Sequence, residues 1–249
     1  MSDSEMHAET IELDTDDGPM AMLHKHPGGS PPAGGWPTII IFHDGPGIRN
    51  ATHEFMEKLV DAGFRVATPD LYHRRGRLIG FEPWQVEEKP ELREQMWGHL
   101  QSLTDEEIQH DLDVALAALD LPAAKKIGTI GFCLGARAVY RSITRMPELF
   151  GAGAMWHPSF LTDAPNPPNE TAGALSVPLY IGIGTADTVQ SIEMHQPFFD
   201  VVDPLDHVEL AIFEGADHGY SWPGYASYHQ LAAETSWTKT MALFETHLT

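Results

Sequence analysis

A single cysteine stands in this chain. It lies in Gly131-Phe132-Cys133-Leu134-Gly135, between an apolar run and a stretch with helical spacing. A nucleophile lifted on a sharp strand-to-helix turn needs small flanking residues, because the chain leaves little room there for a Cβ. Glycine meets that demand on both sides. A free cysteine is most often a buried, inert packing residue. Here strand, turn and helix fall where the elbow needs them. Cys133 is therefore read as a nucleophile, with sulfur in place of the usual serine oxygen.

A thiol attacks as its thiolate, so it needs a base, and the base needs a group that orients it. Residues 179–183 form an apolar run that leads through a glycine turn to Asp187, and residues 208–213 lead through Gly215-Ala216-Asp217 to His218. Alone, Asp187 reads as a loop or N-cap carboxylate, and His218 as one of 14 histidines. Placed in the order nucleophile, acid, histidine, each just past a strand end, they read as a triad. His218 draws the proton from Cys133, and Asp187 fixes the ring and stabilises its cation. The thiolate attacks an acyl carbonyl and water resolves the acyl-enzyme. The oxyanion that forms needs donors already in place. The backbone N–H of Leu134 is one candidate, and Gly45 in His43-Asp44-Gly45-Pro46-Gly47 is the other.

Trp156, Tyr220 and Trp222 fall at the strand ends that carry these groups. Each alone reads equally well as packing; together they suggest an apolar substrate wall. His43, His73, His157 and His218 come without the Asp, Glu or Cys spacing of a recognised metal motif. No metal and no cofactor is expected.

The elements that must position these residues are readable. Residues 8–25 form two edge strands around Asp16-Asp17-Gly18-Pro19, and residues 27–37 are a Gly/Pro-rich loop. The β-branched run 38–42 reads as a strand covered on both faces. A helix over 52–62 ends at Gly63, and a strand over 64–68 leads into Pro69-Asp70-Leu71-Tyr72. Residues 73–103 are weakly patterned and read as a loop or short helices capping the active site. An amphipathic helix covers 105–119. Strands are expected at 126–130, 151–156, 179–183 and 208–213, and helices at 134–144, 191–201 and 225–247. Residues 158–178, rich in proline and asparagine, read as a surface excursion. Strands alternating with helices predict an α/β fold with a doubly wound, mostly parallel sheet and helices on both faces, built as one domain over 1–249.

Composition sets outer limits. Apolar residues make up 42% of the chain, enough for a large core without disulfides. One cysteine fits a reducing compartment. Residues 1–10 are acidic and polar, unlike a signal peptide, and no apolar run reaches the length of a membrane span. A cytoplasmic protein is expected, with no membrane partner. Fifteen Lys and Arg against 36 Asp and Glu give a formal charge of −21, which repels nucleic acid. Arg74, Arg75 and Arg77 form a local positive cluster against that background. Nothing marks a dimer surface, so a monomer is expected.

The cysteine elbow, Pro69-Asp70-Leu71-Tyr72 with Arg74 two residues on, Asp187 and Gly215-Ala216-Asp217-His218 together resemble the dienelactone hydrolase family, over about residues 38–246. The resemblance implies an α/β-hydrolase fold and a small-molecule ester or lactone substrate. It gives Cys133, Asp187 and His218 the triad roles. It also gives Asp44, where the family usually has Glu, control of the resting thiol, and Arg74 the substrate carboxylate. Trp222 stands where a second carboxylate-binding arginine belongs. That exchange favours neutral, flat esters. The rivals are a general carboxylesterase or thioesterase, a non-catalytic homologue that binds a small ligand, and a redox sensor using Cys133. An intact triad argues against the non-catalytic homologue, and the lack of a resolving cysteine against the sensor.

Overall fold

Two residues, Asp16 and Asp17, reverse the chain between β1 (His7–Thr15) and β2 (Gly18–His26), which pair antiparallel with Thr15 opposite Gly18. The Thr15 hydroxyl closes this turn by donating to the Gly18 carbonyl at 2.7 Å. The computed structural model describes residues 6–121, 125–159, 161 and 167–248, which gather into two compact units, Met1–Ile127 and Gly128–Thr249.

In the first unit the strand order is β1-β2-β4-β3. β3 (Thr38–Phe42) is buried throughout, as its β-branched run requires, and runs parallel to β4 (Arg65–Pro69). Between them α1 (Asn50–Asp61) buries Phe55, Met56, Leu59 and Val60. Each such side chain contributes roughly 1.5–3 kcal/mol. Gly63 ends the helix at φ +95°, where a side chain would be strained. Its N–H reaches Val60 and that of Phe64 reaches Leu59, the paired bonds of a Schellman stop.

Residues 73–103, weakly patterned in sequence, contain two short helices, α2 (Pro83–Glu88) and α3 (Pro90–Ser102), each opened by a proline. α4 (Asp105–Ala118) begins with a capping box. Thr104 Oγ1 accepts from Glu107 N, and the Glu107 carboxylate accepts from Thr104 N at 2.9 Å.

The second unit has the order β5-β6-β7-β8, with β6 (Phe150–Trp156), β7 (Leu179–Gly184) and β8 (Val208–Phe213) parallel. β5 (Ile127–Phe132) and β6 are wholly buried. α5 (Leu134–Arg145) follows β5, α6 (Ile192–Val202) follows β7, and α7 (Gln230–Leu248) closes the chain. The closing helix starts later than the expected residue 225. Gly224 sits at φ +85°, and the N–H groups of Tyr225, Tyr228 and His229 are spent on turn bonds to Trp222, Tyr225 and Tyr220. The excursion expected at 158–178 lies partly outside the described residues; its later part forms two 3₁₀ turns, Pro168–Glu170 and Ala172–Ala174.

Candidate active site

Cys133 occupies the turn between β5 and α5 with φ +54° and ψ −119°. A non-glycine residue there stores about 1–3 kcal/mol of backbone strain, sustained only if its surroundings over-determine it. They do. Its N–H donates to the Trp156 carbonyl at 3.2 Å, and its own carbonyl accepts from Ala136 at 3.0 Å and Ser159 at 3.1 Å. A Cβ on Gly131 would lie 2.1 Å from the carbonyl oxygen of Gly135, so the elbow closes only with glycine at its entry. Leu134 is the first residue of α5, and its N–H has no acceptor within the helix.

Asp187 and His218 come from the turns after β7 and β8, and backbone bonds lock those turns together. Thr185 N donates to Phe213 O at 2.9 Å, Ala186 N to Ala216 O at 3.0 Å, and Gly215 N to Thr185 Oγ1 at 2.8 Å. A Cβ on Gly184 would come within 1.9 Å of Ala216 O, so this approach also depends on glycine. His218 Nδ1 then donates to Asp187 Oδ2 at 2.7 Å. The other oxygen, Oδ1, accepts from Val189 N at 3.0 Å and Gln190 N at 2.9 Å. The carboxylate is buried and fully oriented.

His218 Nε2 is buried without an oxygen or nitrogen partner among the described residues. Burial alone would lower the proton affinity of the ring. The negative charge of Cys133, the bond to Asp187 and the contact with Cys133 outweigh it and push the imidazole up to about 10. Cys133, Asp187 and His218 all lie in the second unit.

The remaining expected site residues have other partners. Asp44 is buried in the first unit, and both its oxygens are held by Arg49, at 2.5 and 2.8 Å. The resemblance gives Asp44 the resting thiol; the structure gives it a guanidinium. Gly45, in the same buried turn, accepts from the Tyr72 hydroxyl at 2.8 Å through its carbonyl. Arg74 is held by carboxylates. Its Nε donates to Asp17 at 2.9 Å and its two Nη atoms to Asp111 at 2.8 Å each, so every nitrogen is engaged. Asp111, on α4, is fully buried and also contacts His73 Nε2 at 3.2 Å. Arg74 thus ties the loop after Tyr72 to α4 and to the β1–β2 turn, and is not a free anion receptor.

Trp156 and Tyr220 also have partners. Both are buried, and their polar tips are satisfied by α7: Trp156 Nε1 by Thr240 Oγ1 at 3.0 Å, Tyr220 Oη by Ser236 Oγ at 2.8 Å. They fasten the closing helix. Trp222 packs on Phe132, the residue before the cysteine, with ring centroids 4.6 Å apart.

Three contacts were invisible in the sequence. Ser159 Oγ stands 3.0 Å from Cys133 Sγ. His157, at φ +39°, meets the His218 ring edge-on at 5.2 Å while its Nε2 bonds Ser221 Oγ at 2.8 Å. Arg49 takes Asp44. Only the positions of Ser159 and His157, just past a strand end beside the elbow, could have hinted at them.

The profile of the dienelactone hydrolase family covers residues 25–248. A candidate carboxymethylenebutenolidase of Synechocystis sp. is 27% identical over 231 residues, spanning 86% of this chain and 88% of that protein. A carboxymethylenebutenolidase of Rhodococcus opacus is 24% identical over 238 residues, spanning 93% and 88%. Among solved structures, a candidate dienelactone hydrolase from Klebsiella pneumoniae superposes with a TM-score of 0.80 at 20% identity, covering 98% of this chain and 100% of that one. With the elbow, the parallel strands and this match along most of its length, the chain belongs to the dienelactone hydrolase family and carries the α/β-hydrolase fold.

Proposed function

We propose that this hydrolase cleaves esters or lactones through a Cys133–His218–Asp187 triad and a thioester acyl-enzyme. The observation that carries the reading is the 2.7 Å bond from His218 to a buried Asp187, in the unit that holds Cys133 on its strained elbow. The thiolate attacks the carbonyl carbon, and the oxyanion is met by the N–H of Leu134. As the tetrahedral intermediate collapses, the proton on His218 Nε2 goes to the departing alkoxide. His218, now neutral, takes a proton from water, the resulting hydroxide attacks the thioester, and the thiolate leaves.

The occupied guanidinium of Arg74 and the indole of Trp222 favour neutral, flat substrates over dicarboxylate-like lactones. The family profile running across both compact units supports treating them as one domain. A lone buried cysteine fits the reducing, cytoplasmic setting expected from the sequence. Among the described residues no helix is long and apolar enough to cross a membrane. Turnover of neutral chromogenic esters by the wild type, and its loss in a folded Cys133→Ala protein, is the expected result. Full activity in that variant overturns the proposal.

A further inference from the structure

We infer that Ser159 is a positioning residue for the nucleophile: its hydroxyl donates to the Cys133 thiolate and holds it in the resting enzyme. The inference rests on the reading of Cys133 as the nucleophile. Ser159 is wholly buried, and its Oγ lies 3.0 Å from Cys133 Sγ. The contact is not one rotamer's accident, because the segment bearing it is fixed at both ends. Trp156 O accepts from Cys133 N, Ser159 N donates to Cys133 O, and between them His157 N donates to Gly182 O at 2.7 Å with its backbone turned to φ +39°. Residues 156 and 159 therefore grip the peptide groups on both sides of the cysteine, and Oγ is delivered to the sulfur by backbone geometry.

A thiolate has no proton to give, so in the charged state the bond runs from Ser159 O–H to sulfur. A buried anion needs such compensation. The acid that the family resemblance offers for this control, Asp44, has both oxygens on Arg49. In the acyl-enzyme the sulfur is neutral and the bond weakens; when water expels the sulfur as thiolate, the bond is regained. Ser159 thus keeps the thiolate populated before the attack and favours the last bond cleavage, in which the thiolate leaves. The other titratable groups around the sulfur in this unit are His218, with Asp187 behind it, and His157 against its ring.

The test is the pH profile of Cys133 alkylation by iodoacetamide, together with the ultraviolet absorbance of the thiolate, in wild type, Ser159→Ala and Ser159→Thr. Loss of a hydrogen bond to a charged group shifts the thiol midpoint upward by about 1–2 units. Alkylation at neutral pH should fall about tenfold or more in Ser159→Ala, recover at alkaline pH, and return toward wild type in Ser159→Thr, which keeps the hydroxyl. Thermal melts establish that each protein is folded, and Ser159→Gly supplies the same readout should the alanine protein melt early. A wild-type midpoint in folded Ser159→Ala overturns the inference. The two readings fail separately. Full ester turnover by Cys133→Ala removes the nucleophile itself, whereas an inactive Cys133→Ala beside an unshifted Ser159→Ala removes only the role of Ser159.

Discussion

Replacing Asp187 by asparagine alters one charge and one hydrogen bond while leaving shape nearly unchanged. The amide side chain would keep an oxygen for the N–H groups of Val189 and Gln190, so the turn should survive. Toward His218 it would present an NH₂ group, and Nδ1, which now donates at 2.7 Å, would have to accept. When the ring is neutral its proton then resides on Nε2, so that nitrogen cannot take one from water. A hydrogen bond to a charged group contributes about 1.5–3 kcal/mol, so the imidazolium should lose about 1–2 units of proton affinity. His218, held at about 10, should then titrate nearer about 8–9. The sign follows from a raised value. The ion pair stabilises the fold fully below the free imidazole range and is lost as pH climbs through the folded midpoint, so the variant should lose that stability at lower pH than the wild type. Because the neutral ring formed in the acyl-enzyme would carry its proton on Nε2 and could not take one from water, deacylation, and with it kcat for ester hydrolysis, should drop about 10³–10⁴-fold. Ring proton chemical shifts followed across pH, alongside steady-state ester kinetics, measure both effects. An unmoved His218 midpoint with activity within about tenfold of wild type would refute the reasoning.

Two further outcomes follow from the surroundings of Arg74 and Trp222. Asp111→Asn strips a fully buried partner from Arg74 and His73, and breaking such a pair costs about 3–5 kcal/mol. The melting temperature should fall by about 6–20 °C, with the folded fraction keeping its specific activity; an unchanged melt would mean that Arg74 does not brace the loop. Trp222→Arg restores a cation where the family resemblance places one, and kcat/KM should move toward carboxylate-bearing lactones. If the wild type already prefers the anionic lactone to a neutral one of similar size, the account of specificity fails.

What can be read from sequence is what glycine and strand ends enforce. Gly131 and Gly184 are required by approaches of 2.1 and 1.9 Å, and those same approaches set the elbow and the turn carrying Asp187. The chain order of Cys133, Asp187 and His218 follows from them. The partners of the aromatic residues are not legible, because periodicity does not reveal that the Trp156 indole N–H is answered 84 residues away by Thr240. The hydrogen-bond partners of Arg74 are hidden for a similar reason. Asp111 and Asp17 lie 37 and 57 residues distant, and no local pattern announces them. The start of α7 is set late by turn bonds after Gly224, a competition between local hydrogen bonds that propensity alone does not decide.

The central claim is that Cys133 carries the acyl group, and intact-mass spectrometry during turnover of a neutral ester tests it most directly. Acid quenching in the steady state should reveal a fraction of the wild-type protein heavier by one acyl group, with the mass mapped by peptide analysis to the elbow segment containing Cys133. The adduct should be absent from Cys133→Ala and should accumulate when deacylation is slowed by Asp187→Asn. An acyl group found on any other residue, or ester turnover that persists in Cys133→Ala, would contradict the account.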